Sequence, residues 1–229
     1  MATTKTRGKK YLEAVKLIDP KNVYAPMEAV ELVKKTAKAK FDGSVEVHMH
    51  LGIDPKKGEQ AVRGVVVMPH ATGQTKRVAV FTVTHADAAK KAGADLVGGK
   101  ELIAEIKSSG KCDFDVAVAD PSMMKEIAMI AKILGPKGLM PSPKNETVTD
   151  KIEKTVTELK KGKVTFKNDD TGNVHQSVGK VSLDTSKLVD NLVAFVDAVK
   201  KVKPASAKGS YIQSVTVCST MGPGIRVAV

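Results

Sequence analysis

Glu46, His48 and His50 fall at every second position of Ser44-Val-Glu-Val-His-Met-His-Leu51. Alternate residues of an extended strand share a face, so a carboxylate and two imidazoles stand side by side there and could ligate a metal. Nothing else in the sequence completes a coordination shell at a recognisable spacing. The reading adopted is a polar strand face turned to solvent or RNA, with no metal and no cofactor expected. Gly93-Ala-Asp-Leu-Val-Gly98-Gly99-Lys100-Glu101 has a superficial likeness to a phosphate-binding loop. Gly99 stands where that loop needs its Lys, and no G-x-G-x-x-G occurs, so nucleotide chemistry is not expected. No Ser/His/Asp arrangement and no paired carboxylates stand out, so catalytic residues are expected to be none and the chain does not read as an enzyme.

Two other clusters carry chemistry of a different kind. Lys38-Ala-Lys40-Phe41-Asp-Gly-Ser44 joins cations, an aromatic and a hydroxyl at a helix-to-strand junction. RNA recognition uses cations for phosphate, flat groups for stacking and hydroxyls for base edges or the ribose 2′-OH. Phe41 can equally plug the core between helix and strand, and the sequence leaves both readings open. Ser219-Thr220-Met221-Gly222-Pro223-Gly224 is the second cluster. Its glycines permit close backbone approach and Thr220 offers a hydroxyl, although a plain hairpin turn has the same composition.

The elements that must position these residues follow from periodicity. Pro26 is well placed as a first helical residue, ahead of a stripe Met27, Val30, Val33, Ala37. Residues 44–51 and 63–68 read as strands. From Val78 onward short strands (78–83, 95–97, 115–119) alternate with helices (86–92, 100–107), which predicts a parallel, Rossmann-like sheet. Asp120 caps a further helix with Pro121 at its first position and a stripe of Met123, Ile127, Ile130 and Leu134. Met123, Met124 and Met129 are expected to fill the core. A rigid loop, 135–144, leads to a helix with Val148, Ile152, Val156 and Leu159 inward. The last third returns to strands at 163–167, 174–183, 211–218 and 225–229. Between them a long helix starts at Asp184 and ends at Pro204. Residues 1–10 read as a mobile basic arm.

Lys and Arg total 37 against 25 Asp and Glu, a net charge of +12, while aromatics make up 3% and Trp is absent. A positive excess of that size points to a polyanionic partner. The charge is uneven. Residues 1–68 carry 13 basic and 8 acidic side chains and residues 160–229 carry 11 and 5, whereas 69–159 carry 13 and 12. One basic domain made from both chain ends, 1–68 and 160–229, with a nearly neutral domain, 69–159, inserted between them, accounts for this distribution. No apolar run reaches the length of a membrane span, and Glu13 and Lys16 interrupt any signal-peptide core. Cys112 and Cys218 belong to no C-x-x-C pair, which fits a reducing, cytosolic compartment.

At these residues the chain resembles the L-one family of the bacterial large ribosomal subunit, the proteins of its mobile stalk. The matching segments include Ala39-Lys-Phe-Asp42, Leu51-Gly-Ile-Asp54, Val62-Arg-Gly64, Ala92-Gly-Ala-Asp95, Ile133-Leu-Gly-Pro-Lys-Gly-Leu-Met-Pro141, Gly179-Lys180, Ala207-Lys-Gly209 and Ser219-Thr-Met-Gly222. The resemblance implies an α/β fold: an α+β RNA-binding domain with an inserted Rossmann-like α/β domain. It implies binding of large-subunit ribosomal RNA, movement and release of exit-site tRNA, and repression of translation of the protein's own operon mRNA. It implies a cytoplasmic, ribosomal location and no membrane partner. The family's RNA contacts carry over onto Lys40, Phe41, Ser44, Glu46, His175, Ser219, Thr220, Met221 and Gly222, with Lys167 and Asn168 beside them. Asp170 departs from the pattern, standing where the family usually has Lys.

Overall fold

The computed structural model describes residues 8–73, 75–83, 85–207 and 209–228. Its first elements are α1 (Lys9–Val15), α2 (Pro26–Thr36), β1 (Ser44–Leu51), β2 (Arg63–Val67), β3 (Val78–Phe81), α3 (Ala86–Lys91), β4 (Leu96–Gly98), α4 (Lys100–Ser109) and β5 (Val116–Ala119). There follow α5 (Met124–Ile127), α6 (Ala131–Leu134), α7 (Ile152–Lys161), β6 (Lys163–Lys167), β7 (Asn173–Lys180), α8 (Thr185–Lys201), β8 (Ile212–Ser219) and β9 (Ile225–Arg226). The basic arm expected over 1–10 lies outside the described residues as far as residue 7, and Lys9 and Lys10 open a helix instead. Val229, expected to end the last strand, also lies outside them.

The chain forms two compact units, Met1–Gly73 with Thr165–Val229, and Gln74–Val164. The divisions fall a few residues beyond the points where the charge density changes. Residues 69–73 belong with the first unit because His70 is bonded to α8 through Asn191.

The first unit is built on a four-stranded antiparallel sheet in the order β7-β1-β8-β9. The alternation of β1 sorts its side chains cleanly. Val45, Val47, Met49 and Leu51 are buried, with Val174 and Val178 of β7, Val215 and Val217 of β8 and Ile225 of β9. Helices α2 and α8 pack on these strands, supplying Val30 and Val33, and Leu188, Leu192, Phe195, Val196 and Val199. Each such side chain is worth about 1.5–3 kcal/mol when fully buried, so this apolar face holds the strands in place. Pro26 opens α2 with Glu28 in its first turn and Lys34 and Lys35 in its last, all favourable to the helix dipole. Met27 and Ala37 extend the expected stripe only loosely, since Met27 is exposed.

One residue breaks the apolar stripe of α8. Asn191 is fully buried. Its Oδ1 accepts the His70 N–H at 3.0 Å, and its Nδ2 donates to the carbonyls of His70 at 3.1 Å and Val178 at 2.8 Å. The amide thereby ties the segment after β2 and the end of β7 to one helix. A separate two-stranded pair, β2 with β6, lies beside α8, with Phe166 edge-on to Phe195 at 5.4 Å between ring centres.

The second unit holds a parallel sheet in the order β4-β3-β5. Its central strand β3 is buried on both faces, and β5 is buried beyond Val116, which explains their continuous apolar runs, while the edge strand β4 is half-buried. Val78, Val80 and Val118 face Ala89, Ile152, Val156 and Leu159. Ala79, Phe81, Ala117 and Ala119 face Ile103, Ile106, Met123, Ile127, Ile130 and Leu134. The Asp120 side chain accepts the Ser122 N–H at 3.0 Å ahead of Pro121, as the capping pattern predicts. Two expectations need correction. Val148 is not helical: it makes a parallel bridge with Ala119 and adds a fourth strand position, and α7 starts only at Ile152. Met129 is exposed, not core, because two positions after Ile127 it falls on the side of the helix opposite the stripe of Met123, Ile127, Ile130 and Leu134.

Candidate nucleic-acid interface

The second face of the four-stranded sheet is polar. On β1 it presents Ser44, Glu46, His48 and His50. Antiparallel register sets Cys218, Thr216 and Ser214 of β8 opposite Glu46, His48 and His50, and Ser177, His175 and Asn173 of β7 opposite the same three. Directly paired residues share a face, so the register alone assembles this surface from three strands.

At one end of β1 two loops meet. Thr220 N–H donates to the Ser44 carbonyl at 3.0 Å, and Thr220 Oγ1 lies 2.7 Å from Glu46 Oε1. The loop after β8 is thus fastened to the start of β1. Asp42 anchors the preceding loop: its carboxylate accepts the N–H and the hydroxyl of Ser182 at 3.1 and 2.8 Å. Held between these anchors, Phe41 is 63% and Met221 69% exposed. The core-plug reading of Phe41 is therefore wrong. Lys40 is exposed beside it. Gly222 donates its N–H to the Ser219 carbonyl at 2.8 Å, closing a tight turn. A Cβ there would lie 2.3 Å from Ser219 Oγ, so a side chain at this position would need the Ser219 hydroxyl to rotate away.

The other expected contacts separate into distinct environments. Ser219 is buried beneath that turn and presents no side chain to solvent. His175 is exposed in mid-face. Lys167 and Asn168 sit at the opposite end of the sheet, next to the turn that enters β7, roughly 20 Å from Ser44 at about 3.3 Å per residue. Asn168 is buried, its Oδ1 accepting the Val62 N–H at 2.9 Å and its Nδ2 donating to the Asp169 carbonyl at 2.9 Å. Its amide is committed to joining chain segments. Lys167 and Asp170 are exposed there.

His48, His50, Cys218 and Asp169 were not among the expected RNA contacts, yet they share this face. His48 Nδ1 lies 2.8 Å from His175 Nδ1, and His48 Nε2 3.2 Å from Cys218 Sγ. Burial, then the neighbouring His175, hold the His48 imidazole below its ordinary pKa, against the opposing pull of Glu46. Burial and then the Glu46 charge push the Cys218 thiol up to about 11, so it stays protonated. Asp169 faces His175 Nε2 at 3.5 Å. Burial raises the Asp169 carboxyl, but bonds from the Thr171 hydroxyl, the Asn173 and Thr171 N–H groups and the Asn173 amide together outweigh it and hold the carboxyl well below the usual carboxylate range. The His50 ring bonds Asn173 Oδ1 at 2.7 Å and stands apart from the Glu46–His48 cluster. The alternation of Ser214, Thr216 and Cys218 was visible in the sequence, but their register against β1 was not.

Helices over one antiparallel and one parallel sheet make this an α/β protein, and the polar face of its antiparallel sheet gathers the cations, hydroxyls and exposed apolar side chains described above. Residues 33–223 match the model of the Ribosomal protein L1p/L10e family, and the chain belongs to that family. It is a family of structural, non-enzymatic ribosomal proteins that bind large-subunit ribosomal RNA. No helix among the described residues is long and apolar enough to cross a membrane.

Proposed function

We propose that the unit made from both chain ends binds a folded segment of large-subunit ribosomal RNA through the polar sheet face and the two loops at its end. One observation carries this reading. Phe41 and Met221 stand exposed on loops that are themselves rigidly tied down, by Asp42 to Ser182 and by Thr220 to Ser44. Exposed apolar side chains on anchored loops suit stacking and close packing against unpaired bases and sugars. Lys40 and Lys167, at opposite ends of the face, suit phosphate contact, and Ser44, Glu46, His175 and Thr220 supply acceptors and donors for 2′-hydroxyls. Ser219 and Gly222 shape the loop, and Asn168 holds the far turn.

In this reading the net charge of +12 gives the attraction and the loops give the selectivity. The protein works in the cytoplasm as part of the large-subunit stalk, assists movement and release of exit-site tRNA, and represses its own operon mRNA through an RNA fold like the ribosomal one. The family membership supports the ribosomal part, and the resemblance of the 39–42, 133–141 and 219–222 motifs supports the rest.

Competition binding at fixed salt tests the reading. Wild type should prefer the ribosomal segment over random RNA of equal length. Phe41→Ala or Met221→Ala should each weaken the specific complex roughly tenfold, in line with about 1–3 kcal/mol per stacked base, and leave random binding unchanged. Equal losses on both RNAs, or none, would reduce the protein to a generic basic binder.

A further inference from the structure

Glu46, His48 and Cys218 place a carboxylate oxygen, an imidazole nitrogen and a sulfur all within 4.8 Å of one another. The residues come from two hydrogen-bonded strands. Glu46 and Cys218 are directly paired across β1 and β8, and His48 follows Glu46 by two positions on the same face. We propose that these three side chains form a zinc site on the polar face, with a fourth position left for water or another oxygen donor. The proposal concerns the RNA-free protein and does not rest on the RNA reading.

Distances fit the ion. Ligands about 2.0–2.3 Å from a shared tetrahedral zinc lie roughly 3.4–3.6 Å from each other. His48 Nε2 is 3.2 Å from Cys218 Sγ and 3.9 Å from Glu46 Oε2. Small side-chain rotations therefore bring both pairs to the required separation. Sulfur, imidazole and carboxylate together favour zinc over magnesium or calcium, which take oxygen donors.

The surroundings orient each donor. Asp169 Oδ2 faces His175 Nε2, which favours the ring proton on that nitrogen and leaves His175 Nδ1 as an acceptor. His48 Nδ1–H then donates to His175 Nδ1 at 2.8 Å, and the lone pair of His48 is on Nε2, the atom aimed at Cys218 and Glu46. A partner on the far nitrogen is what orients metal-binding histidines generally. Glu46 is held likewise: Thr220 Oγ1 engages Oε1 at 2.7 Å and leaves Oε2 toward the cluster. Beside it Ser177, cross-strand from Glu46, buries its Oγ without a hydrogen-bond partner among the described residues. A water on the open zinc position would be a partner for such a hydroxyl. On binding, the Cys218 S–H is replaced by an S–Zn bond and one proton leaves to solvent.

Cobalt(II), which reports thiolate ligation by colour, tests the site on the untagged, RNA-free full chain. One equivalent should give a thiolate-to-cobalt charge-transfer band with the intense visible bands of four-coordinate cobalt, and zinc should bleach both. Cys218→Ser should abolish the charge-transfer band, and His48→Gln should weaken cobalt binding at least tenfold. Cys112→Ser, in the other unit, should change nothing. A wild-type spectrum without the charge-transfer band, a band that follows Cys112, or only the pale spectrum of adventitious octahedral cobalt would each overturn the proposal. Because the wild-type spectrum alone can do so, misfolding of a variant does not shelter the idea.

Discussion

Thr220 Oγ1 lies 2.7 Å from Glu46 Oε1, and this hydroxyl-to-carboxylate bond joins the loop that carries Met221 to the polar face near the start of β1. Thr220→Val keeps the shape and removes the donor. The main-chain bond from Thr220 to Ser44 remains, so the Met221 loop should loosen without leaving β1. Ribosomal RNA affinity should fall about fivefold to tenfold, while stability changes by only about 0.5–1 kcal/mol, as for one partly exposed bond. Filter binding and a denaturant titration read the two numbers. A large stability loss with intact binding would make the bond purely structural.

Gly222 is constrained from below, by the Ser219 hydroxyl. The Cβ of Gly222→Ala would meet Ser219 Oγ at 2.3 Å but Ser219 Cβ at an ordinary 3.5 Å. The single variant should cost about 1–3 kcal/mol by overpacking. Adding Ser219→Ala removes the colliding oxygen, so the double variant should recover more than half of the lost stability. Purely additive losses in thermal unfolding would place the strain elsewhere.

Asn191 is itself fully buried and has three polar partners. Asn191→Leu suits the apolar stripe of α8 but strands the His70 N–H and the carbonyls of His70 and Val178. Unsatisfied buried groups cost about 1–3 kcal/mol each at most, and relaxation shares the burden, so a loss of about 2–4 kcal/mol is expected in urea unfolding. RNA affinity measured well below the melting temperature should survive, because Asn191 lies on the helix side of the sheet.

Asp169 makes stability depend on acid. Its carboxyl is held below the usual carboxylate range when folded, so its contribution is fully present above the unfolded value near 4 and fades as pH falls toward the folded value. Wild type should therefore melt above Asp169→Asn at neutral pH, and the gap should close below about pH 4. A gap that stays constant from pH 7 to acid would show that the turn is held by shape and not by charge.

The residues of β1 were legible because strict alternation leaves one register that buries Val45, Val47, Met49 and Leu51. The capping signals at Pro26 and Asp120 were legible for the same local reason. What stayed hidden depends on partners distant in sequence. Val148 continues the spacing of Ile152, Val156 and Leu159, so periodicity extends the helix backward, whereas a bridge to Ala119 claims it for the sheet. Asn191 looks like a flaw in an apolar stripe until His70 and Val178 are placed beside it. His48 and Cys218 are separated by 170 positions, and only the β1–β8 register brings them to 3.2 Å. Sequence spacing paired His48 with His50 instead, and the structure gives His50 to Asn173. Phe41 could not be assigned to core or surface until the Asp42–Ser182 anchor showed which way its loop is held.

Selective RNA binding should depend on Phe41 and Met221 acting on one particular RNA. Hydroxyl-radical protection of intact large-subunit ribosomal RNA by the full chain tests this most directly. Wild type should protect a single discrete segment, and the Phe41→Ala, Met221→Ala double variant, with an unchanged melting temperature, should lose that protection. Diffuse protection along the whole RNA, or an identical footprint from the double variant, would contradict it.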